Sequence, residues 1–424
     1  MRKKLSVASL ISLCALPALI PSDDASAIPA FARKYGTSCY TCHSGFPTRN
    51  AFGEAFRNNG YRWPGGEDEE KTKQEQLKLG SDGWKKTFPE SPWPGEIPGY
   101  VPFSLWVRGP LVTYTQQTTT PTGALVAGKE QALNFGTGGL GSATLFFGGT
   151  MGDNLSAFGQ YNLTNVATTV ANTNTAVSGH VTWSFAPGVN LSFGNGFSDW
   201  TFGNALQYYN TAYPTPGTGA EFTYVTGQEG GFKITGGLAQ LSGTAVTPSV
   251  KLDDIRYVRA KYKFGGAGLL SGAGGTYGNE FVGLDNHIAV GASYMSFRNN
   301  AIAAGNWLGE TAVYGAAVTG NIGSVSLGAT YSKDKDLKQE NLRLDGNYFV
   351  FPWLAANLRY TSYRSADKTV NDPQIVAALT AHLRANAYVS ATYTTHTKER
   401  LVNAANVAQN TLPSTFVVQG GFAF

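Results

Sequence analysis

The sequence predicts an all-β transmembrane barrel of about sixteen antiparallel strands, preceded by a small, mainly helical N-terminal plug domain. Three observations carry this. From residue 100 onward the apolar residues recur with period two rather than with a helical period. The chain holds 52 glycines, 21 tyrosines and 24 phenylalanines and is only 14% charged. Beyond its first 27 residues, however, no apolar run is long enough for a membrane-spanning helix. It closes on TFVVQGGFAF, where Phe416, Val418, Phe422 and Phe424 share one face and an aromatic ends the last strand.

Residues 1–27 read as an export signal. Arg2, Lys3 and Lys4 form a positive start, Leu5 to Ile20 is apolar but interrupted by proline, and Ala25-Ser26-Ala27 is a small-residue cleavage site. Lipid attachment at Cys14 is disfavoured by the bulky Leu13 before it. Removal of this segment leaves Cys39 and Cys42 as the mature chain's cysteines, in an oxidising compartment. The formal charge of +4 includes the signal's cations, so the mature chain is close to neutral and nothing points to nucleic-acid binding.

Residues 28–99 form a separate N-terminal domain with a linker. Glu67 and Lys71, and Glu69 and Lys73, stand at helical spacing in EDEEKTKQEQLKLG, which predicts a solvated helix over 67–80. Prolines then cluster over 88–102 and mark the entry to the first strand.

Residues 100–424 are the predicted barrel. Ala312, Tyr314, Ala316 and Val318 lie on one face of their segment, as do Val325, Leu327, Ala329 and Tyr331 of the next. Around residue 380, Ile375, Ala377, Leu379 and Leu383 alternate with Gln374, Thr380, His382 and Arg384. A closed barrel in lipid requires this apolar-out, polar-in alternation, because hydrocarbon cannot satisfy an open sheet edge. Short turns at 151–154, 186–188, 226–231, 320–323, 351–353 and near Ala385 alternate with longer polar segments. That asymmetry distinguishes a periplasmic from an external end. The segment 265–284 is too long for the periplasmic turn its position requires.

Within the N-terminal domain, Cys39-Tyr40-Thr41-Cys42-His43 is the motif that carries chemistry. Two thiols on one turn suit thioether bonds to the vinyl groups of a single haem, and the histidine directly after them suits the proximal iron position. A zinc site needs two further ligands, and no second cysteine pair exists. A redox-active CxxC normally follows a strand in a βαβ unit, which this segment lacks. One covalently held haem c is therefore expected.

The stretch IPAFARKYGTSCYTCHSGFPTRNAFGEAFRNNGY (28–61) resembles the N-terminal signature of the fused monohaem cytochrome–porins of bacterial outer membranes. The matching residues are Pro29, Phe31, Ala32, Arg33, Cys39, Cys42, His43, Pro47, Asn50, Gly53, Phe56, Asn59, Gly60 and Tyr61. The hairpin 145–161 is also similar to the early barrel of such proteins. The resemblance implies a bacterial outer-membrane protein that passes single electrons between an extracellular donor, iron(II) in the best-known members, and a periplasmic c-type cytochrome. Its reaction class would be iron(II):cytochrome c oxidoreductase. Members from metal-reducing bacteria leave the direction of electron flow open. An outward conduit and a diffusion porin with a regulatory haem plug remain the alternatives.

The second axial ligand is not local: no methionine or further histidine lies between His43 and Tyr100. The barrel candidates are His382 and His287, expected to face the lumen near the periplasm, ahead of Met151 in a periplasmic turn. An open sixth position is the other option. His180 is expected on the lumen face nearer mid-membrane, with Met295 and His396 toward the outer end. Arg259, Lys261 and Lys263 share a lumen face suited to haem propionates or to the barrel wall itself. The acidic positions Asp253, Asp254, Asp334 and Asp336 read as solvated loop charge. A haem is far smaller than a hydrocarbon core of about 30 Å. To link outside and inside, the cytochrome segment must therefore sit in the lumen or at its periplasmic mouth.

Overall fold

The protein is represented by a computed structural model. It describes residues 30–65 apart from 36, 38, 46 and 47, the pieces 77–79, 86–87 and 95–97, and 102–423 apart from several inter-strand segments. Those segments fall at 117, 120–124, 127, 133–141, 164–176, 196–215, 242–250, 272–277, 280–283, 300–308, 336–339, 365–370, 385, 398–399, 403–407 and 412. The export signal, the charge run at 67–76 and much of the longer polar segments lie outside the described residues.

Sixteen antiparallel wall positions close into one barrel. They are β1 (Phe103–Thr115), β2 (Ser142–Met151), β3 (Leu155–Asn162), β4 (Val177–Ala186), β5 (Val189–Gly194), β6 (Pro216–Thr226), β7 (Glu229–Leu241) and β8 (Ile255–Ala267). The second half is β9 (His287–Asn299), β10 (Gly309–Ile322), β11 (Val325–Asp334), β12 (Glu340–Phe351), β13 (Leu354–Arg364), β14 (Asn371–Arg384), β15 (Ala387–His396) and β16 (Thr415–Ala423). A short strand, Lys129–Ala132, pairs with the far end of β1 and extends the position that β2 occupies. β16 pairs with β1 and completes the ring, with a bulge between Val418 and Gln419. Pro110, which has no N–H to give to the ladder, sits opposite that bulge.

Period two in the sequence becomes an inverted distribution of polarity. Phe185, Phe193, Phe264, Ile288, Tyr314, Val318, Leu327 and Leu358 are exposed on the outer wall. Thr182, Ser192, Thr235, Thr330, Arg343, Asp345 and His382 are buried inside. A water-soluble sheet shows the reverse. Phe185, Phe264 and Phe422 lie at strand ends beside the short turns, together with Phe351 and Trp353, whose rings stack at 5.5 Å. Such a girdle marks the membrane–water boundary of an outer-membrane barrel, which this protein is. No helix among the described residues is long and apolar enough to cross a membrane.

The N-terminal domain contains α1 (Ala30–Tyr35), a 3₁₀ turn over Cys39–Thr41, a small antiparallel pair (His43–Gly45 with Thr48–Arg49), and α2 (Ala51–Asn58). The helix expected over 67–80 does not run through its described end. Leu77–Leu79 is instead a strand paired with Gly95–Ile97, so a tertiary partner overrides the local helical spacing.

The connection after β8 explains the overlong segment. Residues 268–271 turn inward, Gly278–Asn279 pairs with Leu284–Asp285, and Leu269 and Leu284 are almost fully buried. It is a lumenal clasp rather than a simple turn.

Leu358 lies toward the middle of β13 and is 60% exposed on the outer wall. Leu358→Arg is expected to destabilise the folded barrel by about 2–4 kcal/mol if that position lies near the bilayer midplane. Urea unfolding in lipid vesicles reads this directly, and no change in midpoint would contradict the assignment of this face to lipid.

Candidate functional site

The site begins at the Cys39–His43 turn and extends to the wall opposite it. The Cys42 N–H donates to the Cys39 carbonyl at 3.2 Å, so the two cysteines share one tight turn, and they are not bridged to each other. Burial pushes the Cys42 thiol up to about 12, with Cys39 adding to this and Arg49 opposing it, and burial also raises Cys39.

Asn50 ties this turn to α2. Its side-chain oxygen caps the helix by accepting from the Gly53 N–H at 2.9 Å, while its Nδ2 donates to the carbonyls of Tyr40 at 3.0 Å and Thr41 at 3.2 Å. Helix and turn approach so closely that a Cβ at Gly53 would overlap the Cys42 carbonyl. The other end of α2 closes as a Schellman motif, with the Tyr61 N–H donating to the Phe56 carbonyl at 3.0 Å and Gly60 at φ +65°. Tyr61 itself has φ +61°, an uncommon conformation for an aromatic residue. Its surroundings hold it there. The ring stacks between Phe31 at 5.4 Å and the wall residue Phe158 at 5.6 Å, and its hydroxyl meets His180 Nε2 at 3.2 Å.

The domain is seated inside the barrel against β1–β8, through polar contacts more than apolar ones. Arg33 donates to the Phe103 carbonyl, and Lys34 Nζ donates to Thr150 Oγ1 at 2.6 Å. Arg62 bonds the carbonyls of the β2–β3 turn at Gly152 and Asp153, beside Met151. Asn58 accepts from Lys233 Nζ at 2.9 Å and donates to the Leu269 carbonyl of the clasp at 2.8 Å. Asn59 reaches the Leu270 carbonyl at 3.0 Å. Glu54 is the charge at the centre of this seat. Arg49 stands 3.5 Å from it, Lys233 of β7 3.9 Å and Lys261 of β8 4.0 Å, and all four side chains are largely buried.

Seating against one side leaves a cavity on the other. This polar space, open to solvent, is bounded by Ser44, Arg49, Asn50, Ala51 and Glu54 of the plug and by β8–β12 of the wall. Arg259, Lys261 and Lys263 line it as expected from their alternation, facing Glu54, Asp285 and Asp345. Asp345 is bridged by Arg343 and, at 2.7 Å, by Arg359. The hydroxyls of Ser44 and Thr330 are buried in this lining without a hydrogen-bond partner among the described residues. A polar occupant of the cavity would satisfy them.

The candidate axial residues separate clearly. His287 lines this cavity. Its Nδ1 lies 3.1 Å from Asp285 Oδ1 and 3.0 Å from the Asp285 carbonyl. Asp285 also pairs with Lys263 and accepts from the Ala267 N–H at 2.8 Å. Burial, the largest single influence on Asp285, acts to raise its pKa, but His287 and Lys263 bring it down to about 2. His382 faces inward as expected but belongs to β14, beyond the cavity's lining, with its ring 6.2 Å from that of Tyr388. Met151 ends β2 opposite Leu155 and does not line the cavity either. His180 is engaged with Tyr61, and Met295 is packed with Ile255, Tyr257 and Phe297. At the barrel's loop end, Asp253 has its side chain 41% exposed and is paired with Arg256 at 2.6 Å, as expected of solvated loop charge, whereas Asp254 is buried and accepts from the Lys251 N–H at 2.8 Å, against that expectation. Glu54, Lys233 and Asp285 went unmarked in the sequence, because each acquires its partners from a distant segment.

No protein-family model matches the chain, and comparison with proteins of curated function finds no match. Among solved structures it is similar to the outer-membrane channel DcaP of Acinetobacter baumannii, at 13% identity and a TM-score of 0.48, over 76% of this chain and 96% of that one. It is also similar to the anion-selective porin from Comamonas acidovorans, at 10% identity and a TM-score of 0.48, over 76% and 99% of the two chains. A third similarity is to Salmonella typhi OmpF, at 13% identity and a TM-score of 0.45, over 76% and 97%.

Glu54→Gln is expected to loosen the plug, because it leaves Arg49, Lys233 and Lys261 facing one another without their anion. Breaking a buried ion pair from one side costs about 3 kcal/mol, which corresponds to about a hundredfold in a docking equilibrium. Tryptic cleavage of the N-terminal domain in the folded barrel should accelerate accordingly. Unchanged cleavage would remove Glu54 from the centre of the seat.

Proposed function

We propose that this outer-membrane barrel carries one haem c in its lumenal plug and exchanges single electrons between an extracellular donor, iron(II) foremost, and a periplasmic c-type cytochrome. The observation that carries this reading is the position of the CxxCH turn: inside the barrel, tied through Asn50 to a helix seated on the wall, and followed by Ser44, which borders an open polar cavity. The residues fit the group. Cys39 and Cys42 are unbridged on one turn, and His43 follows them. Cys39 and Cys42 would hold the haem by thioethers and His43 would ligate its iron. When bound, the haem supplies a one-electron iron couple.

The chain's own residues do the positioning. Asn50 fixes the turn to α2, Glu54 and Asn58 fix α2 to Lys233, and Asn58 and Asn59 fix it to the clasp. Tyr61 and Arg62 fix the domain's end to β2–β4. A plug bound through so many directional contacts stays at one depth in the membrane, which a relay between two compartments requires.

A second reading is a diffusion porin whose plug is regulatory, and the open cavity beside the plug is the observation that favours it. An outward conduit has the same geometry and differs only in potential. Anaerobic mixing of the oxidised full-length protein with iron(II) tests the first reading. The haem absorbance bands should shift to the reduced form within the mixing experiment. Full reduction by dithionite with none by iron(II) would overturn iron(II) as donor and favour the outward conduit. Planar-bilayer recording of the same protein should show little steady conductance, whereas porin-sized, solute-permeable conductance with haem bound would favour the diffusion channel.

A further inference from the structure

Among the described residues, the lumen beside the plug holds more positive charge than its own carboxylates match. Glu54 is shared by Arg49, Lys233 and Lys261, at 3.5, 3.9 and 4.0 Å. Asp345 is shared by Arg343 and Arg359, while Asp285 is matched by Lys263. Arg259 lines the same wall and stands on one face with Glu221 of β6, so the excess lies with the two shared carboxylates. Buried charge in excess of its counter-charge is costly unless a further anion relieves it.

The strand register keeps the wall from relieving it. Lys233 and Lys261 are directly opposed across β7 and β8, where like charges repel. On the other side of β8, Lys261 and Lys263 face only Gly291 and Ala289 of β9. The next inward positions, Ala317 and Thr319 of β10 and then Thr330 and Gly328 of β11, are uncharged and short. Their shortness leaves room, about 130 Å³, for a compact solute.

Two hydroxyls supply an independent observation. Ser44 of the plug and Thr330 of β11 line this space at 0% and 1% exposure, and neither hydroxyl has a hydrogen-bond partner among the described residues. A buried hydroxyl left without a partner is costly, and each of these can donate to an anionic oxygen. We infer that this space is a binding site for a compact oxyanion bearing two charges, held by Arg259 and Lys261 of β8 and by the hydroxyls of Ser44 and Thr330. Phosphate and a short dicarboxylate share that chemistry. Because the site draws on both plug and wall, a bound ion also ties the two together. It does not rest on the haem reading, since Cys39, Cys42 and His43 are absent from its lining.

The structural alternative is that these cations only seat the plug and that water fills the space. Isothermal titration of the full-length protein in detergent, at low and constant ionic strength, separates the two. Inorganic phosphate and succinate are titrated in separate arms. At least one is expected to bind with a single-site isotherm, and the tighter of the two identifies a tetrahedral or a dicarboxylate ligand. Arg259→Gln and Thr330→Val should each weaken that binding about tenfold, because each removes a donor to a charged group. Thr330→Val nearly preserves shape, so a hydroxyl with no ligand would leave the affinity unchanged. Arg364→Gln, which removes an exposed cation beside Glu340, should bind as the wild type does. Heat-modifiable gel mobility verifies that each variant is a folded barrel. Saturable binding that neither Arg259→Gln nor Thr330→Val weakens would put the ion elsewhere and overturn the site. Absence of saturable binding of both ions to the folded wild-type protein would leave the space to water and overturn it as well.

Discussion

The hydrogen-bonded seam between β16 and β1 is the interaction on which the rest of this molecule depends. In hydrocarbon, an unpaired row of backbone N–H and C=O groups has nothing to bond to, so the sheet must close. Closure fixes an inside and an outside, and period two then sorts every strand. Leu358 and Phe185 are turned to lipid, while Arg343, Asp345 and His382 are turned to the lumen. A ring of sixteen strands is also too wide for its own inward side chains to fill. The lumen is therefore a polar, charged space with room for a second object.

That second object is held by the chemistry that closure creates. The wall facing it offers carbonyls, hydroxyls and ammonium groups, so the plug docks with Arg33, Lys34, Glu54, Asn58, Asn59 and Arg62 rather than with a broad apolar face. Its aromatic residues do a different task. Phe31, Phe56 and Tyr61 pack on one another and on Phe158, and they stabilise the left-handed end of α2 that delivers Tyr61 to His180. Because these contacts lie on β1–β8, the plug is off-centre, and the open space falls between Ser44, Arg49 and Glu54 of the plug and β8–β12. Asymmetric docking is thus what leaves the lumen open on that side.

Much of this was legible in the residues alone. Strand number, the short turns at 151–154, 186–188 and 351–353, and the inward orientation of His180, His287 and His382 all follow from alternation, which is a property of neighbouring residues. The helix expected over 67–80 failed at 77–79 because charge spacing reports only local preference, and a strand partner at 95–97 outweighs it. The anomalous length of 265–284 was visible, but its purpose was not. Nothing within that segment announces that Leu269 and Leu270 will accept from Asn58 and Asn59 some two hundred positions away.

What the sequence by itself determined, then, is the membrane architecture and the presence of a CxxCH motif ahead of the barrel, because both are written in spacings of a few residues. Tertiary structure decided where that motif sits and what it faces. Glu54 gains its meaning from Lys233 and Lys261, and His287 gains its orientation from an Asp285 that is itself fixed by Lys263. The physical reason is that a charge buried in a low-dielectric lumen is governed by whichever partner the closed barrel brings within about 4 Å, and that distance is unrelated to separation along the chain.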